Sequence, residues 1–192
     1  ALVALASGLP SDAEEQFARS AQLALDASTQ ARGLANAGAA ALEAGGLERA
    51  QAWLERAEGV RARHQLGEDV GLALNRARVA SLVGDRAAAL ELLSQVKASA
   101  EPRLVSLAWL FEGELRLAAG LPSAVDCLRR AVSGALAPQE AARAWLALAQ
   151  DAGVHGRTAD ATHALRQALM GLERPNDRIG ALAALGGHLY AA

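Results

Sequence analysis

The sequence is poor in several residue types, and each scarcity excludes a class of protein. Its 192 residues include one cysteine, Cys127, and one lysine, Lys97. A lone cysteine cannot close an intrachain disulfide, which excludes a disulfide-stapled secreted domain and leads us to expect the cytoplasm. The net charge is −2 and the arginines alternate with acidic residues. The chain therefore has no basic surface for phosphates, and we expect no direct binding to nucleic acid.

Long hydrophobic runs are missing as well. The opening segment Ala1–Ala6 is apolar but lacks a basic region before it, and no stretch reaches the 18 or so apolar residues of a membrane span. We therefore predict neither a signal peptide nor contact with a membrane. Aromatic residues make up 3% of the chain and there are 5 prolines, whereas about a quarter of the residues are alanine. This balance favours helix over sheet, so we predict an all-α fold.

What the sequence does contain is a helix–turn–helix unit that recurs every 35 to 39 residues. The second helix of each unit carries a small residue followed four positions later by a large apolar one: Ala13 and Phe17, Ala50 and Leu54, Ala89 and Leu93, Ala124 and Leu128, Ala161 and Leu165. The first helices repeat independently around one residue, which we call the anchor: Leu34, Ala73, Trp109, Trp145 and Leu182. A glycine marks the turn between the two helices at Gly8, Gly45, Gly84, Gly120 and Gly156. Two registers with one period indicate a tandem repeat.

These residues resemble the tetratricopeptide repeat (TPR), whose signature is W-x₂-L-G-x₂-Y followed by A-x₃-F. The nearest segments begin at Trp145, with Leu148 and Ala149, and at Leu34, with Ala37 and Gly38. Arg76 and Glu112 stand where the signature has leucine. The period exceeds the usual length of about 34 residues. In this respect the chain is similar to the variant repeats of helical domains in bacterial signal-dependent regulators.

The resemblance implies a right-handed α-α superhelix of about five hairpins, stabilised by the stacking of neighbouring repeats. We expect one repeat domain over residues 1–192. It divides into a partial repeat at 1–27, repeats at 30–66, 69–99, 103–135 and 138–172, and a terminal helix at 176–191. The first repeat keeps only a short first helix before its second helix, predicted at Ser11–Ala27, so we expect either a preceding segment or another subunit to cover it. Within each hairpin, small residues such as Gly38 and Gly113 are expected to admit the facing Ala50 and Ala124.

In folds of this kind the first helices line a concave groove, and the repeat register assigns residues to it. These are Arg32, Leu74, Arg78, Leu107, Leu110, Glu114, Leu117, Arg143, Leu146, Gln150 and Tyr190. The leucines and Tyr190 would form an apolar floor, with the arginines as isolated positive points. Such a surface suits an amphipathic helix with some acidic residues. The alternative is that tight curvature buries these leucines against neighbouring first helices.

Catalytic signatures are absent, including phosphate-binding glycine loops, H-E-x-x-H, C-x-x-C and G-x-S-x-G. The nearest approach to a metal site is Asp151, His155, Asp160 and His163, which we interpret as surface residues at helix ends. Cys127 has no histidine or asparagine signature near it in sequence, and we expect a small buried hydrophobe. We predict no enzyme activity, no cofactor and no metal.

The pattern thus favours a non-catalytic protein-interaction module that binds a peptide or helix in its groove, within a larger bacterial regulatory or scaffold protein. Two alternatives remain open. The first is a domain of a transcriptional regulator that senses a small ligand in the groove. The second is a scaffold that associates with itself through its terminal repeats.

Overall fold

The computed structural model describes residues 10–173 and 175–190, which form ten α-helices and contain no β-strand. This confirms the predicted all-α class. The helices are α1 (Pro10–Gln22), α2 (Ala27–Glu43), α3 (Leu47–Arg63), α4 (Val70–Leu82), α5 (Arg86–Lys97), α6 (Pro102–Ala118), α7 (Ala124–Val132), α8 (Pro138–Val154), α9 (Thr158–Gly171) and α10 (Pro175–Tyr190). Within the described ranges, none of them is both long enough and apolar enough to cross a bilayer.

The chain divides into two compact units, Ala1–Val96 and Lys97–Ala192. In the first unit α2 packs against α1, α3 and α4, and α3 also packs against α4. In the second unit α6 packs against α7 and α8, α8 packs against α7 and α9, and α9 packs against α10. Each unit has its own apolar core. One continuous repeat domain over 1–192 stays a prediction.

The helix starts follow from local chemistry. Four prolines occupy the first position of a helix, at Pro10, Pro102, Pro138 and Pro175, where the missing N–H costs no hydrogen bond. Carboxylates cap other helices, with Asp26 Oδ1 accepting from Thr29 N at 2.8 Å. The prediction of one helix over Ser11–Ala27 is wrong beyond Gln22, because Asp26 takes an extended conformation and starts α2.

The predicted turn glycines are the residues that reverse the chain. Gly45, Gly84, Gly120 and Gly156 have φ values of +74°, +88°, +62° and +68°. A side chain in this left-handed region clashes with the backbone, so glycine is the residue that adopts it most readily. Gly8 lies outside the described residues.

The repeated small and large residues of the second helices are all buried, as predicted. Their exposed fractions run from 0% to 8% across the five alanines and the five large apolar residues. The atoms nearest to Gly38 and Gly113 belong mainly to leucines, although an added Cβ on Gly38 would also lie 3.4 Å from the O atom of the facing Ala50. An added Cβ on Gly38 would lie 2.7 Å from Leu54 Cδ2, and one on Gly113 would lie 2.7 Å from Leu128 Cγ. Gly38 and Gly113 leave room for the side chains of Leu54 and Leu128. These leucines reach the glycines because a helical leucine side chain points toward the helix N-terminus, over the preceding turn.

The first helices share a common register. The three helices α2, α6 and α8 each have 17 residues and begin seven residues before their anchors Leu34, Trp109 and Trp145. The exception is α4, which has 13 residues and begins three residues before Ala73. All four end nine residues after the anchor. The first turn is therefore missing from α4 alone among these four helices.

Candidate functional site

The residues predicted to line a groove fall into different environments. Arg32, Arg143 and Gln150 are exposed, whereas Leu107, Leu117 and Leu146 are half-buried against the core of the second unit. Leu74 and Leu110 are buried, with 5% and 1% of their surface exposed. Leu110 belongs to the core and Leu74 is inaccessible in the first unit, so neither presents a surface to a partner in this structure. The side chain of Tyr190 lies outside the described part of the chain.

The expectation that Arg78 and Arg143 are isolated positive points is wrong, because each pairs with a carboxylate on a neighbouring first helix. Arg78 Nη2 lies 2.5 Å from Glu43 Oε1, which joins α4 to α2. Arg143 Nε lies 2.5 Å from Glu114 Oε1, which joins α8 to α6. The partners in these two pairs lie 35 and 29 residues apart in the sequence, so their pairing depends on the packing of the helices.

We call the partly exposed residues Leu107, Leu117 and Leu146, together with Glu114 and Arg143, the α6–α8 face. The leucines contact the apolar core from one side and leave part of their surface outside it. The Arg143 guanidinium lies 5.5 Å from the Phe111 ring centroid while it pairs with Glu114. This face therefore combines three partly exposed leucines with an ion pair between α6 and α8.

A buried charge cluster lies in the second unit and was not predicted from the sequence. Glu112 is 4% exposed; its carboxylate pairs with the Lys97 ammonium and accepts from Arg116 Nε at 2.8 Å. Burial raises the pKa of Glu112, but the hydrogen bonds and charges of Lys97 and Arg116 outweigh it and hold the pKa below the usual value. The Trp109 ring lies beside the cluster, with Lys97 Nζ 4.2 Å from its centroid and Arg130 Cζ 4.7 Å away. The feature of the sequence that could have indicated this cluster is Glu112 itself, a charged residue at a position where leucine was expected.

Cys127 is buried in the second unit, with 4% of its surface exposed, as expected for a small hydrophobe. Burial raises the pKa of its thiol, and the nearby Glu112 carboxylate raises it further. A thiol in such surroundings stays protonated and is a poor nucleophile.

The side chains of Asp151, His155, Asp160 and His163 have other partners, and His155 Nδ1 lies 2.8 Å from the Asp151 carbonyl oxygen. Asp151 is buried, contrary to the expectation of a surface residue, and pairs with the Arg157 guanidinium. The other nitrogen of Arg157, Nη1, lies 3.4 Å from Asp160 Oδ2. His163 packs edge-on against Trp145, with 5.7 Å between the ring centroids. Within the described residues, no group of three or more His, Cys, Asp or Glu side chains is arranged to hold a metal ion.

The first unit contains a cleft of about 330 Å³ between α3, the link before α4, α4 itself and α5. Its apolar wall consists of Leu66, Val70, Leu72, Ala73, Leu92 and Val96. Its lining includes two ion pairs: Arg61 Nη1 lies 3.2 Å from Asp69 Oδ2, and Arg76 Nη1 lies 2.5 Å from Glu58 Oε1. Asp69 also caps α4 by accepting from Leu72 N at 2.9 Å. This cleft was not predicted from the sequence, although the small anchor Ala73 was the available signal.

A scan against protein-family profiles, a search of curated proteins and a search of solved structures found no match. The resemblance to the tetratricopeptide repeat thus depends on the repeat positions of this chain alone.

Proposed function

We propose that this chain is a TPR-like protein-interaction module that binds an amphipathic helix or peptide through the α6–α8 face. The observation that carries the proposal is the lateral packing of first helices in one register. In the second unit α6 contacts α8, and both begin seven residues before a tryptophan anchor. Neighbouring first helices in one register can present equivalent residues side by side, which is the arrangement that a repeat array uses for binding.

The chemistry of the α6–α8 face supports a helical partner. Half-buried leucines on two adjacent helices form an apolar strip of the kind that receives the i, i+3 and i+4 side chains of an amphipathic helix. Arg143 is bound to Glu114, so the pair adds polar contacts to the edge of the strip with little net charge. The partner's apolar side chains would therefore supply most of the affinity, and the polar edge would orient it.

Leu110 has a different role in this proposal from the one expected for a groove residue. With 1% of its surface exposed, Leu110 belongs to the core against which the leucines of the α6–α8 face pack. A substitution such as Leu110→Glu would place a charge in the core and unfold the second unit, so loss of binding there would carry no information about contact.

The proposed role is non-catalytic, within a larger regulatory or scaffold protein of the bacterial cytoplasm. The sequence resemblance and the absence of catalytic signatures support this assignment.

A library of displayed amphipathic helices, selected against the whole chain, tests the proposal. We expect selected peptides to lose at least tenfold in affinity on Leu146→Gln. The matched control is Leu169→Gln, because Leu169 is also half-buried against the same core but lies on the second helix α9. Both variants lose stability for the same reason, and only Leu146→Gln alters the binding face. Equal losses in the two variants, or no loss in either, would overturn the proposal.

A further inference from the structure

The cleft in the first unit arises from two local departures from the repeat. Because the first turn of α4 is missing, the link Gln65–Asp69 takes its place, with Gln65 in a left-handed conformation (φ 51°) and Asp69 as the cap. The anchor at this repeat is Ala73, whereas α2 has Leu34 and the second unit has Trp109 and Trp145. Space that a turn of helix and a large anchor would fill is therefore left open beside α4.

The size of this space points to a small organic molecule. A volume of about 330 Å³ lies at the lower end of the range for small-ligand pockets, roughly 300 to 1,000 Å³. The apolar wall contains the aliphatic side chains of Leu66, Leu72, Leu92 and Val96. A ligand that fits this wall has an apolar body.

The charges around the cleft favour a positive group on that ligand. Arg61 and Arg76 are each paired with a carboxylate, which leaves Glu68 as the fifth charged lining residue. Among the described residues Glu68 has no ion-pair partner. The positive N-terminus of α4 is already neutralised by Asp69, which accepts from Leu72 N, so it does not attract an anion to the cleft.

We propose that this cleft binds a small amphipathic organic cation, with an apolar or aromatic body against the aliphatic wall and a protonated amine near Glu68. The cleft and the α6–α8 face share no residue, so each of the two proposals can be tested without the other. Binding here would give the chain a small-molecule site in addition to a peptide-binding face.

Three indole probes test the proposal on the whole chain: tryptamine as the amine, indole-3-propionate as the acid and indole as the uncharged body. Thermal shift and isothermal titration calorimetry give the affinities. We expect tryptamine to bind at least fivefold more tightly than indole-3-propionate. Glu68→Gln is expected to weaken tryptamine several-fold and to leave indole unchanged. Absence of binding by all three probes, or tighter binding of the acid, would overturn the proposal.

A cavity-filling variant shows whether the probes occupy the cleft. We expect Ala73→Trp to raise the melting temperature and to weaken tryptamine at least tenfold. The control is Ala52→Trp, because Ala52 is exposed on α3 and does not line the cleft. If Ala73→Trp fails to fold, Ala73→Leu gives the anchor the size of Leu34 and serves the same purpose. Unchanged tryptamine binding in the folded variant would show that the cleft is not the site.

Discussion

One repeat in each unit carries a charged residue three positions after the anchor. The charged side chain is exposed in the first unit and buried in the second. In the first unit Arg76 follows the small anchor Ala73; its side chain is 48% exposed and pairs with Glu58 at the cleft. In the second unit Glu112 follows Trp109; its side chain is 6% exposed and pairs with Lys97 and Arg116. The small anchor Ala73 thus lies at an open cleft, whereas the large anchor Trp109 lies beside a buried charge cluster.

The comparison teaches that a repeat tolerates a polar residue at a core position in two ways. Where the neighbouring space is open, the side chain stays hydrated and its ion pair adds little to stability. Where a large ring closes the space, the charge is buried and depends on its partners, because an unpaired buried carboxylate is costly. A charged residue at this repeat position therefore has a different effect on stability in each unit.

Removing a partner of Glu112 should have the largest effect. We expect Lys97→Met to lower the free energy of unfolding by about 2 to 3 kcal/mol, because a buried carboxylate loses a charged hydrogen-bond donor. Urea unfolding followed by circular dichroism measures the change. Glu112→Leu, which removes the buried charge and leaves an apolar side chain, should cost less than Lys97→Met. The reverse order would contradict the account of the cluster.

Gly113, the residue next to Glu112, tests how closely the helices of the second unit pack. Gly113→Ala should cost about 1 to 2 kcal/mol, since its Cβ would lie 2.7 Å from Leu128 Cγ and 3.2 Å from Leu128 N. Gly59→Ala is the control, because Gly59 is an exposed helical glycine with no atom within 4 Å of an added Cβ. The control should gain about 0.5 to 1 kcal/mol from helix propensity. Melting temperatures that move in the same direction would refute the seating of Leu128.

Acid provides a gradual way to weaken the Glu112 cluster. The pKa of Glu112 is depressed in the folded protein, so its contribution to stability is complete above the ordinary value of 4.5 and is lost as the pH falls through the lower folded-state value. Unfolding midpoints from pH 7 to pH 3 should show a decline that is shallower in Glu112→Gln. Identical declines in the two proteins would mean that other carboxylates account for the loss.

The smallest effect is expected at the equivalent position of the first unit. Arg76→Gln should change the free energy of unfolding by about 0.5 kcal/mol or less, because both members of the Arg76–Glu58 pair are substantially exposed. The same urea titration applies. A loss as large as that of Lys97→Met would remove the distinction between the two positions.

Most of the helical framework could be predicted from the sequence because it depends on local chemistry. Gly45 and Gly156 reverse the chain through their own backbone conformations, and Pro102 and Pro138 start helices at their own positions. Alanines such as Ala50 and Ala161 are buried because their helical spacing places them on the packed face. These properties require knowledge of only a few neighbouring residues.

The candidate sites were harder to predict because they depend on the relative placement of helices. The partners of Arg78 and Arg143 lie on other first helices, and the cleft requires α3, α4 and α5 together. Leu107 and Leu110 have the same residue type on one helix, yet only Leu107 keeps part of its surface exposed. Residue type and period alone do not distinguish them.

The position of the chain's sole lysine has a practical consequence. Lys97 Nζ is bound to Glu112 and lies over the Trp109 ring, so an acylating reagent must wait for that contact to open before it reacts with the amine. The rate of acylation at this residue would therefore report local opening events in the second unit, as amide hydrogen exchange does for the backbone. Because no other lysine side chain competes among these 192 residues, mass spectrometry could follow those events at a single position.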